Sequence, residues 1–258
     1  MTAGKNRFED FFVDGSYIAL KNLLYNYRLR KRAVNRSLQG LGGGWILEVG
    51  SGLSPIVEAS GRVVYSELSF GALKTLRETL PGGLFVVADA ALLPFKPSSF
   101  QHVVCSEVLE HLPDDRQALR QIVEVMESGA SLLLTFPHRQ GYFAVDDRFV
   151  NHLRRYELAE MEKRLWEAGL HPVDVRKVLG PLEKGTMMLV TAVALMGRHL
   201  QPGEGKVKSG QQNKSGLWRV AIPIFGFLNL LFCLPVWFDA WLMPRSWSAV
   251  LLIRSVKQ

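Results

Sequence analysis

The chain has 258 residues, 48% of them hydrophobic and 21% charged, so it is long enough for a complete α/β domain with an appendage and too apolar to be disordered overall. Its 31 Lys and Arg residues outnumber its 24 Asp and Glu residues, and the formal net charge of +7 suits an anionic membrane surface or nucleic acid, or simply a basic, solubilising tail. Cys105 and Cys233 are far apart and no Cys/His cluster accompanies them, which excludes a disulfide framework, predicts no metal site and fits a reducing compartment.

The N-terminal segment 16–38 has apolar residues at helical spacing, with six basic residues and no acidic one. Such an amphipathic helix can lie on a membrane surface, or it can pack one face on the main domain and solvate its charges. The first twelve residues lack the basic and apolar regions of a signal peptide, so we expect the catalytic part to stay in the cytoplasm. The glycine run 42–44 ends the segment as a linker.

Short apolar segments then alternate with helical patterns, which predicts a mostly parallel sheet covered by helices on both faces. The predicted strands are 45–52, 62–68, 84–90, 102–108, 131–138, 171–179 and 248–258. The predicted helices are 69–79, 115–127 and 157–168, and two aspartates can cap the second of them. A short helix is also expected to start at Ser54–Pro55, directly after the first strand.

Two uncharged segments follow the sixth strand, 185–197 and 220–238. As a helix the second would be about 28 Å long, close to the hydrocarbon thickness of a bilayer. Because Pro223, Gly226 and Pro235 interrupt it, a broken or re-entrant membrane helix is as plausible as a clean span. Tryptophans at its ends are typical of interfacial anchors, while a soluble lid or an oligomer interface is the alternative interpretation.

Acidic residues at three successive strand ends surround a glycine turn formed by Gly50 and Gly52. Open α/β sheets bind ligands at this edge, and the glycines let the backbone approach the ligand closely. The carboxylate of Glu48 would oppose a pyrophosphate but suits a ligand with an ammonium and a sulfonium group, which favours S-adenosylmethionine over NAD. Glu67 is placed to accept hydrogen bonds from ribose hydroxyls, and Asp89 from an adenine amino group.

The sequences EVGSG (48–52), YSELS (65–69) and DAALLPFKPSSFQHVVCSEVLEHLPD (89–114) resemble the class I S-adenosylmethionine-dependent methyltransferases, in their methyltransferase type 11-like branch. The resemblance covers 45–137 and, more loosely, 151–179. It implies a Rossmann-like, seven-stranded methyltransferase sheet whose last strand is antiparallel. The sequence departs from the usual pattern of this family at Ser54, at Gln101 and before the fifth strand.

The resemblance also implies roles for individual residues, and none of the departures touches them. Glu48, Gly50 and Gly52 would line the methionine part of the cofactor, Glu67 would hold the ribose, Asp89 and Ala90 the adenine, and Ser106, Glu107 and His111 would lie near the transferred methyl group.

The reaction implied is direct displacement at the sulfonium methyl group, for which a hydroxyl acceptor would need a base. The candidate bases are His138, at the end of the fifth strand, and His111, with His152 a further possibility; each could instead make a structural hydrogen bond. A basic and aromatic patch after the fifth strand is the candidate substrate site for an anionic group, or equally a helix-start surface. It comprises His152, Arg154, Arg155 and Tyr156.

We predict four segments: an N-terminal helical extension (1–44), a cofactor-binding domain (45–180), a membrane-associating insertion (181–247) and a closing strand (248–258), although 186–196 could itself be the seventh strand. The predicted function is methyl transfer to a small-molecule, lipid or lipid-linked glycan acceptor at the cytoplasmic side of a membrane. No nucleic acid partner is expected, and the oligomeric state is open. The alternatives are an NAD-dependent Rossmann oxidoreductase and a non-catalytic, membrane-bound binding module.

Overall fold

A computed structural model of the protein describes residues 22–58, 61–199 and 216–258. Seven strands form one sheet in the order β3-β2-β1-β4-β5-β7-β6. The first five pair in parallel, and β7 lies antiparallel between β5 and β6. The strands are β1 (Ile46–Val49), β2 (Val63–Glu67), β3 (Leu84–Val87), β4 (Phe100–Ser106), β5 (Met126–Pro137), β6 (Leu170–Leu179) and β7 (Val250–Lys257). This order confirms the predicted sheet, including its antiparallel last strand.

Helices cover both faces of the sheet, as predicted. They are α1 (Tyr25–Gln39), α2 (Phe70–Thr79), α3 (Asp115–Val125), α4 (Val145–Phe149), α5 (Leu158–Glu167), α6 (Pro181–His199) and α7 (Gly216–Leu242). Alternate residues of a strand point to opposite faces of the sheet and belong to two apolar clusters. Val103 packs with α3 and α5 on one face, and Val104 packs with α1, α2 and α7 on the other. Strands buried on both sides explain why the sequence shows continuous apolar runs rather than alternation.

Side-chain caps fix the start of two of the helices. The hydroxyl of Ser69 accepts a hydrogen bond from the N–H of Ala72 at the start of α2, at 3.2 Å. The carboxylate of Asp114 accepts one from the N–H of Gln117 at the start of α3, at 2.9 Å. Each cap satisfies a backbone donor that the first helical turn leaves unpaired. The predicted capping aspartate is therefore confirmed.

The structure corrects the prediction for the turn after β1. No helix starts at Ser54–Pro55; the described part of 50–62 consists of turns and bends. The buried carboxylate of Glu48 accepts hydrogen bonds from the N–H groups of Ile56 and Val57, at 2.7 and 2.9 Å. Because these bonds bring the chain back onto the strand it has just left, a compact turn replaces the helix.

The helices α6 and α7 lie between β6 and β7, where the insertion is predicted. Residues 186–196 are therefore helical and are not the seventh strand. The helix α7 runs through Pro223 and Pro235 without a break. Within the described residues one helical segment, Pro223–Leu242, is long and apolar enough to cross a membrane, with a mean hydropathy of 1.6 and 22% of it buried in the protein.

The N-terminal helix packs on α6 and α7 through Tyr25. Its hydroxyl is hydrogen-bonded to Thr186, its N–H donates to the amide oxygen of Asn229 at 3.4 Å, and its ring lies 5.9 Å from that of Phe232. The first part of the predicted helix, 16–21, lies outside the described residues. The described part of α1 thus forms one layer with α6 and α7.

Candidate cofactor and acceptor site

A cavity opens at the carboxyl ends of β1, β2 and β4, and α1, α4 and α6 supply its other walls. Such edges are where α/β sheets bind ligands. The cavity is lined by every predicted cofactor residue and by two of the three candidate bases: Glu48, Gly50, Gly52, Glu67, Asp89, Ala90, Ser106, Glu107, His111 and His152. Residues that are far apart in the sequence therefore meet at one site.

Gly50 and Gly52 form the turn with φ angles of +71° and +57°. Residues other than glycine rarely adopt this backbone region. A Cβ atom on Gly50 would lie 2.5 Å from a methyl carbon of Val108. The N–H of Gly52 donates to the carboxylate of Glu67 at 3.0 Å. The glycines thus bring the first turn into contact with the ends of β2 and β4.

Gly50→Ala is expected to destabilise the protein by about 1–3 kcal/mol, the usual cost of strained backbone at such a φ, and to weaken cofactor binding. The added methyl group must also displace Val108, which lines the cavity. The control is Gly43→Ala, because nothing lies within 4 Å of a Cβ atom there. Urea unfolding measures the difference, and equal stability of the two variants would contradict the expectation.

The carboxylate of Glu48 is buried, and its bonds to Ile56 and Val57 hold the turn that follows the strand. Dinucleotide sites of Rossmann folds place the pyrophosphate at a helix N-terminus in this position. Here the described residues of the turn contain no helix, and a carboxylate lies beside it. Both features disfavour a pyrophosphate and therefore NAD.

The acids at the ends of β2 and β3 are held by backbone N–H groups. The carboxylate of Glu67 accepts from Gly52 and Ser69, both at 3.0 Å, and is almost completely buried. The carboxylate of Asp89 accepts from the N–H of Ala91 at 2.8 Å and remains exposed at the cavity rim. Fixed carboxylates in this arrangement suit the hydroxyl and amino donors of an adenosine.

Ser106 is the last residue of β4, and Glu107 follows it at the cavity. The hydroxyl of Ser106 is hydrogen-bonded to that of Thr135 at 2.8 Å, and Glu107 has a φ of +55°. One carboxylate oxygen of Glu107 lies 3.6 Å from the guanidinium of Arg30 on α1, while the other is buried with no hydrogen-bond partner among the described residues. An unsatisfied carboxylate oxygen at this point fits the cationic end of S-adenosylmethionine.

A buried charge network forms another part of the cavity wall. Asp147 accepts hydrogen bonds from Arg155 at 2.7 Å, from His152 at 2.9 Å and from Lys184 at 2.7 Å, and Lys184 also binds Asp146 at 2.6 Å. Burial alone would raise the pKa of Asp147, but the bonds from His152 and Lys184 and the charge of Arg155 lower it below its ordinary value. The network joins α4 to α6.

Sequence reasoning missed most of this wall. Asn26, Arg30, Asp146, Asp147 and Glu183 all line the cavity. The burial of Glu183 raises its pKa above the ordinary value. The available sequence signals were the acidic pair Asp146 and Asp147 and the charged pair Glu183 and Lys184, each next to an apolar segment. Exposed surface residues often show the same pattern.

Glu110 lies just below the cavity surface in the 3₁₀ turn Leu109–His111. It is completely buried. This burial, and to a smaller extent the negative charge of Glu107, raises the pKa of its carboxyl well above the ordinary value. The imidazole of His152 lies 3.7 Å from its carboxylate. His111 and His152 both line the cavity, and their rings are 4.8 Å apart.

The predicted base His138 does not line the cavity. Because β7 pairs with the end of β5, Ser248 covers it: the carbonyl of Ser248 lies 2.8 Å from its Nδ1 atom. Burial lowers the pKa of this imidazole, and Glu157 is 3.8 Å from its other nitrogen. The structure therefore gives His138 a structural role and leaves His111 and His152 as the imidazoles at the cavity.

The predicted substrate patch divides into two parts. His152 and Arg155 line the cavity, whereas Arg154 and Tyr156 point to the other side of the chain. Both of the latter bind the carboxylate of Asp115 at the start of α3, at 3.1 and 2.7 Å. These contacts with Asp115 are structural, which corrects the predicted substrate-binding role of Arg154 and Tyr156.

Residues 47–134 match the family described as "Methyltransferase domain". A demethylmenaquinone methyltransferase from Streptomyces griseus is 32% identical over 111 residues, which cover 42% of this chain and 48% of that protein. A Mycobacterium tuberculosis protein named as an S-adenosylmethionine-dependent methyltransferase is 25% identical over 67% of this chain and 61% of its own length. The chain thus spans about half the length of the first of these curated relatives.

Solved structures support the fold. A methyltransferase from Thermotoga maritima, described as S-adenosylmethionine-dependent, superimposes with a TM-score of 0.60 at 16% identity, covering 97% of this chain and 98% of the other. An N-methyltransferase from Haemonchus contortus, in complex with S-adenosylhomocysteine, has a TM-score of 0.53 at 13% identity and covers 88% of this chain and 52% of the other. Residues 47–134 are therefore similar to a methyltransferase domain, and the sheet agrees with the fold of these solved methyltransferases.

Proposed function

We propose that the protein transfers a methyl group from S-adenosylmethionine to a lipid or lipid-linked acceptor that it meets at a membrane surface. The observation that carries the proposal is the position of α1 and α6: both line the cofactor cavity, and both pack against the long apolar helix α7. Leu24 and Met187 extend the apolar layer into the cavity itself. An acceptor with a polar head and an apolar tail fits this continuity.

S-adenosylmethionine supplies a methyl group on a positively charged sulfur, which a nucleophile can displace. The chain's own task is to hold and align the reactants. Glu67 and Asp89, whose carboxylates are fixed by backbone N–H groups, would hold the adenosine, and the unsatisfied oxygen of Glu107 would suit the cationic end. Asn26 and Glu183 line the cavity from α1 and α6.

The acceptor side of the cavity carries His111, His152 and Arg155. Asp147 binds the Nδ1 atom of His152 and the Nε atom of Arg155, so both side chains are fixed in orientation. The nucleophilic atom of the acceptor forms its bond to the methyl carbon as the bond from sulfur to that carbon breaks. A hydroxyl acceptor also releases a proton, and these two imidazoles are the ones that line the cavity.

The outer surface of α6 and α7 supports membrane contact. Its exposed large apolar residues are Leu182, Met188, Leu189, Val190, Ile224, Phe227, Leu228, Leu230, Leu231, Phe232, Leu234, Trp237, Phe238, Trp241 and Leu242. A patch of this extent is unusual on a soluble monomer. Arg32 and Arg36 are exposed on the neighbouring helix α1, where anionic head groups would attract them. We infer a location at the cytoplasmic side of a membrane.

The double variant Leu234→Asp with Trp241→Asp is expected to lower binding to anionic phospholipid vesicles at least tenfold. Each replaced side chain is more than half exposed, and burying one in lipid contributes about 1.5–3 kcal/mol. The matched control is Trp166→Asp, an exposed tryptophan on α5. Sedimentation with the vesicles measures the bound fraction, and equal binding by the two variants would overturn the membrane contact.

The acceptor class is tested by incubating the full chain with S-adenosylmethionine labelled in the methyl group. Separate reactions contain a membrane lipid extract, a demethylated isoprenoid quinone and a water-soluble metabolite extract. We expect label in the lipid or quinone product, because the name of the Streptomyces relative points to an acceptor of that chemistry. Label confined to the water-soluble fraction would contradict the proposal.

A further inference from the structure

Three potential metal ligands meet at the acceptor end of the cavity. Glu110, His111 and His152 each offer one ligand atom, and these atoms lie within 4.8 Å of one another. The first two belong to the 3₁₀ turn after β4, and the third follows α4. Because His152 lies far along the chain from the adjacent residues Glu110 and His111, no ligand spacing reveals the cluster, which explains why the sequence predicts no metal site.

The carboxylate of Glu110 is the unusual member of this cluster. The residue is 0% exposed, and neither carboxylate oxygen has a hydrogen-bond partner among the described residues. An unpartnered buried acid costs about 1–3 kcal/mol or more, and buried charges in proteins are normally paired or bound to a metal. The Nε2 atom of His152 lies 3.7 Å from the carboxylate, too far for a hydrogen bond.

Both imidazoles have acceptors beside their Nδ1 atoms. Nδ1 of His152 lies 2.9 Å from the carboxylate of Asp147, and Nδ1 of His111 lies 3.3 Å from the carbonyl oxygen of Asn151. An acceptor at Nδ1 keeps the proton there and leaves the lone pair on Nε2. Metal-binding histidines are oriented in this way, by a carboxylate or a backbone carbonyl on the other ring nitrogen.

We propose that Glu110, His111 and His152 form a binding site for a divalent transition-metal ion. Two imidazoles and one carboxylate are a ligand set that binds zinc or iron and leaves a position open. Two ligands about 2.1 Å from a tetrahedral ion are about 3.4 Å apart, close to the 3.7 Å between His152 and Glu110. The ion would satisfy the orphaned carboxylate.

The open position would face the acceptor, since His111 and His152 line the cavity. This part of the inference rests on the proposed function. An acceptor oxygen bound there would be held near the end of β4, beside Glu107, and a bound metal ion lowers the pKa of a coordinated hydroxyl. The cluster would thereby select acceptors with an oxygen next to the methylated atom, or at that atom.

The test is titration of the full chain, first freed of metal by dialysis against a chelator, with Co²⁺. We expect one ion per chain and a visible absorption spectrum typical of a site with nitrogen and oxygen ligands. Glu110→Gln and His152→Ala should each weaken Co²⁺ and Zn²⁺ binding at least tenfold. His171→Ala is the matched control, because His171 lies at the start of β6 outside the cavity lining and should bind as the unmodified chain does.

Absence of a bound ion, or equal affinity in Glu110→Gln and the control, would overturn the site. Glu110→Gln is isosteric, and circular dichroism with a thermal melt verifies its fold; His111→Ala provides a second variant. Calorimetric titration of the metal-free chain with S-adenosylmethionine separates the two proposals. Cofactor binding without metal binding overturns this inference alone, whereas metal binding without cofactor binding overturns the proposed function and supports the site.

Discussion

Glu67→Ala is expected to weaken the binding of S-adenosylmethionine about 10- to 100-fold. The carboxylate is nearly buried and already accepts two backbone hydrogen bonds, from Gly52 and Ser69. A hydrogen bond to a charged group contributes about 1.5–3 kcal/mol, and each 1.4 kcal/mol is about tenfold in affinity. The alanine variant would lose the proposed contact to the ribose and also releases the glycine turn that the carboxylate holds.

Isothermal titration calorimetry measures this loss. The matched control is Glu78→Ala, which removes an exposed acid from α2 and changes the net charge equally. The control should bind the cofactor as the unmodified chain does. An unchanged dissociation constant for Glu67→Ala would show that the cofactor does not bind at the end of β2.

Asp147→Ala is expected to lower the free energy of unfolding by about 3–5 kcal/mol. The variant leaves the cations of Arg155 and Lys184 buried with less compensation, and breaking one partner of a buried ion pair has this cost. The side chains of Arg155 and Lys184 are only 6% and 7% exposed, so solvent screens them little. In a chain of this size the melting temperature should fall by about 10 °C.

The comparison for this prediction is Asp174→Ala, which breaks an ion pair with Arg176 on the surface of β6. Exposed pairs contribute about 0–1 kcal/mol, so this variant should melt within about 2 °C of the unmodified chain. Thermal melts followed by circular dichroism measure both variants. If Asp147→Ala changed stability no more than Asp174→Ala, the buried network would not hold α4 against α6.

The sheet was predictable because its information is local. Each buried strand is a continuous apolar run, and the acids Glu67 and Asp89 mark two strand ends in the sequence itself. The register of neighbouring parallel strands then brings these ends to one edge. The cofactor side of the cavity follows from this rule and from the glycine turn, without knowledge of any distant contact.

The acceptor side was not predictable in the same way, because it depends on contacts between distant segments. Lys184 belongs to a largely apolar helix, and only packing against α4 brings it to Asp146. His138 ends a strand at the correct edge, but the antiparallel strand β7 covers that position. The predicted helix at Ser54–Pro55 does not form, because the carboxylate of Glu48 binds the N–H groups of Ile56 and Val57. The preference of proline for the first position of a helix does not reveal this contact.

The most direct measurement is the titration of the full chain with S-adenosylmethionine and, separately, with NAD, by calorimetry. The geometry of the glycine turn, the carboxylate of Glu48 beside it and the acids at the strand ends predict one S-adenosylmethionine site per chain and no binding of NAD. Binding of NAD without binding of S-adenosylmethionine would contradict the assignment of the cavity.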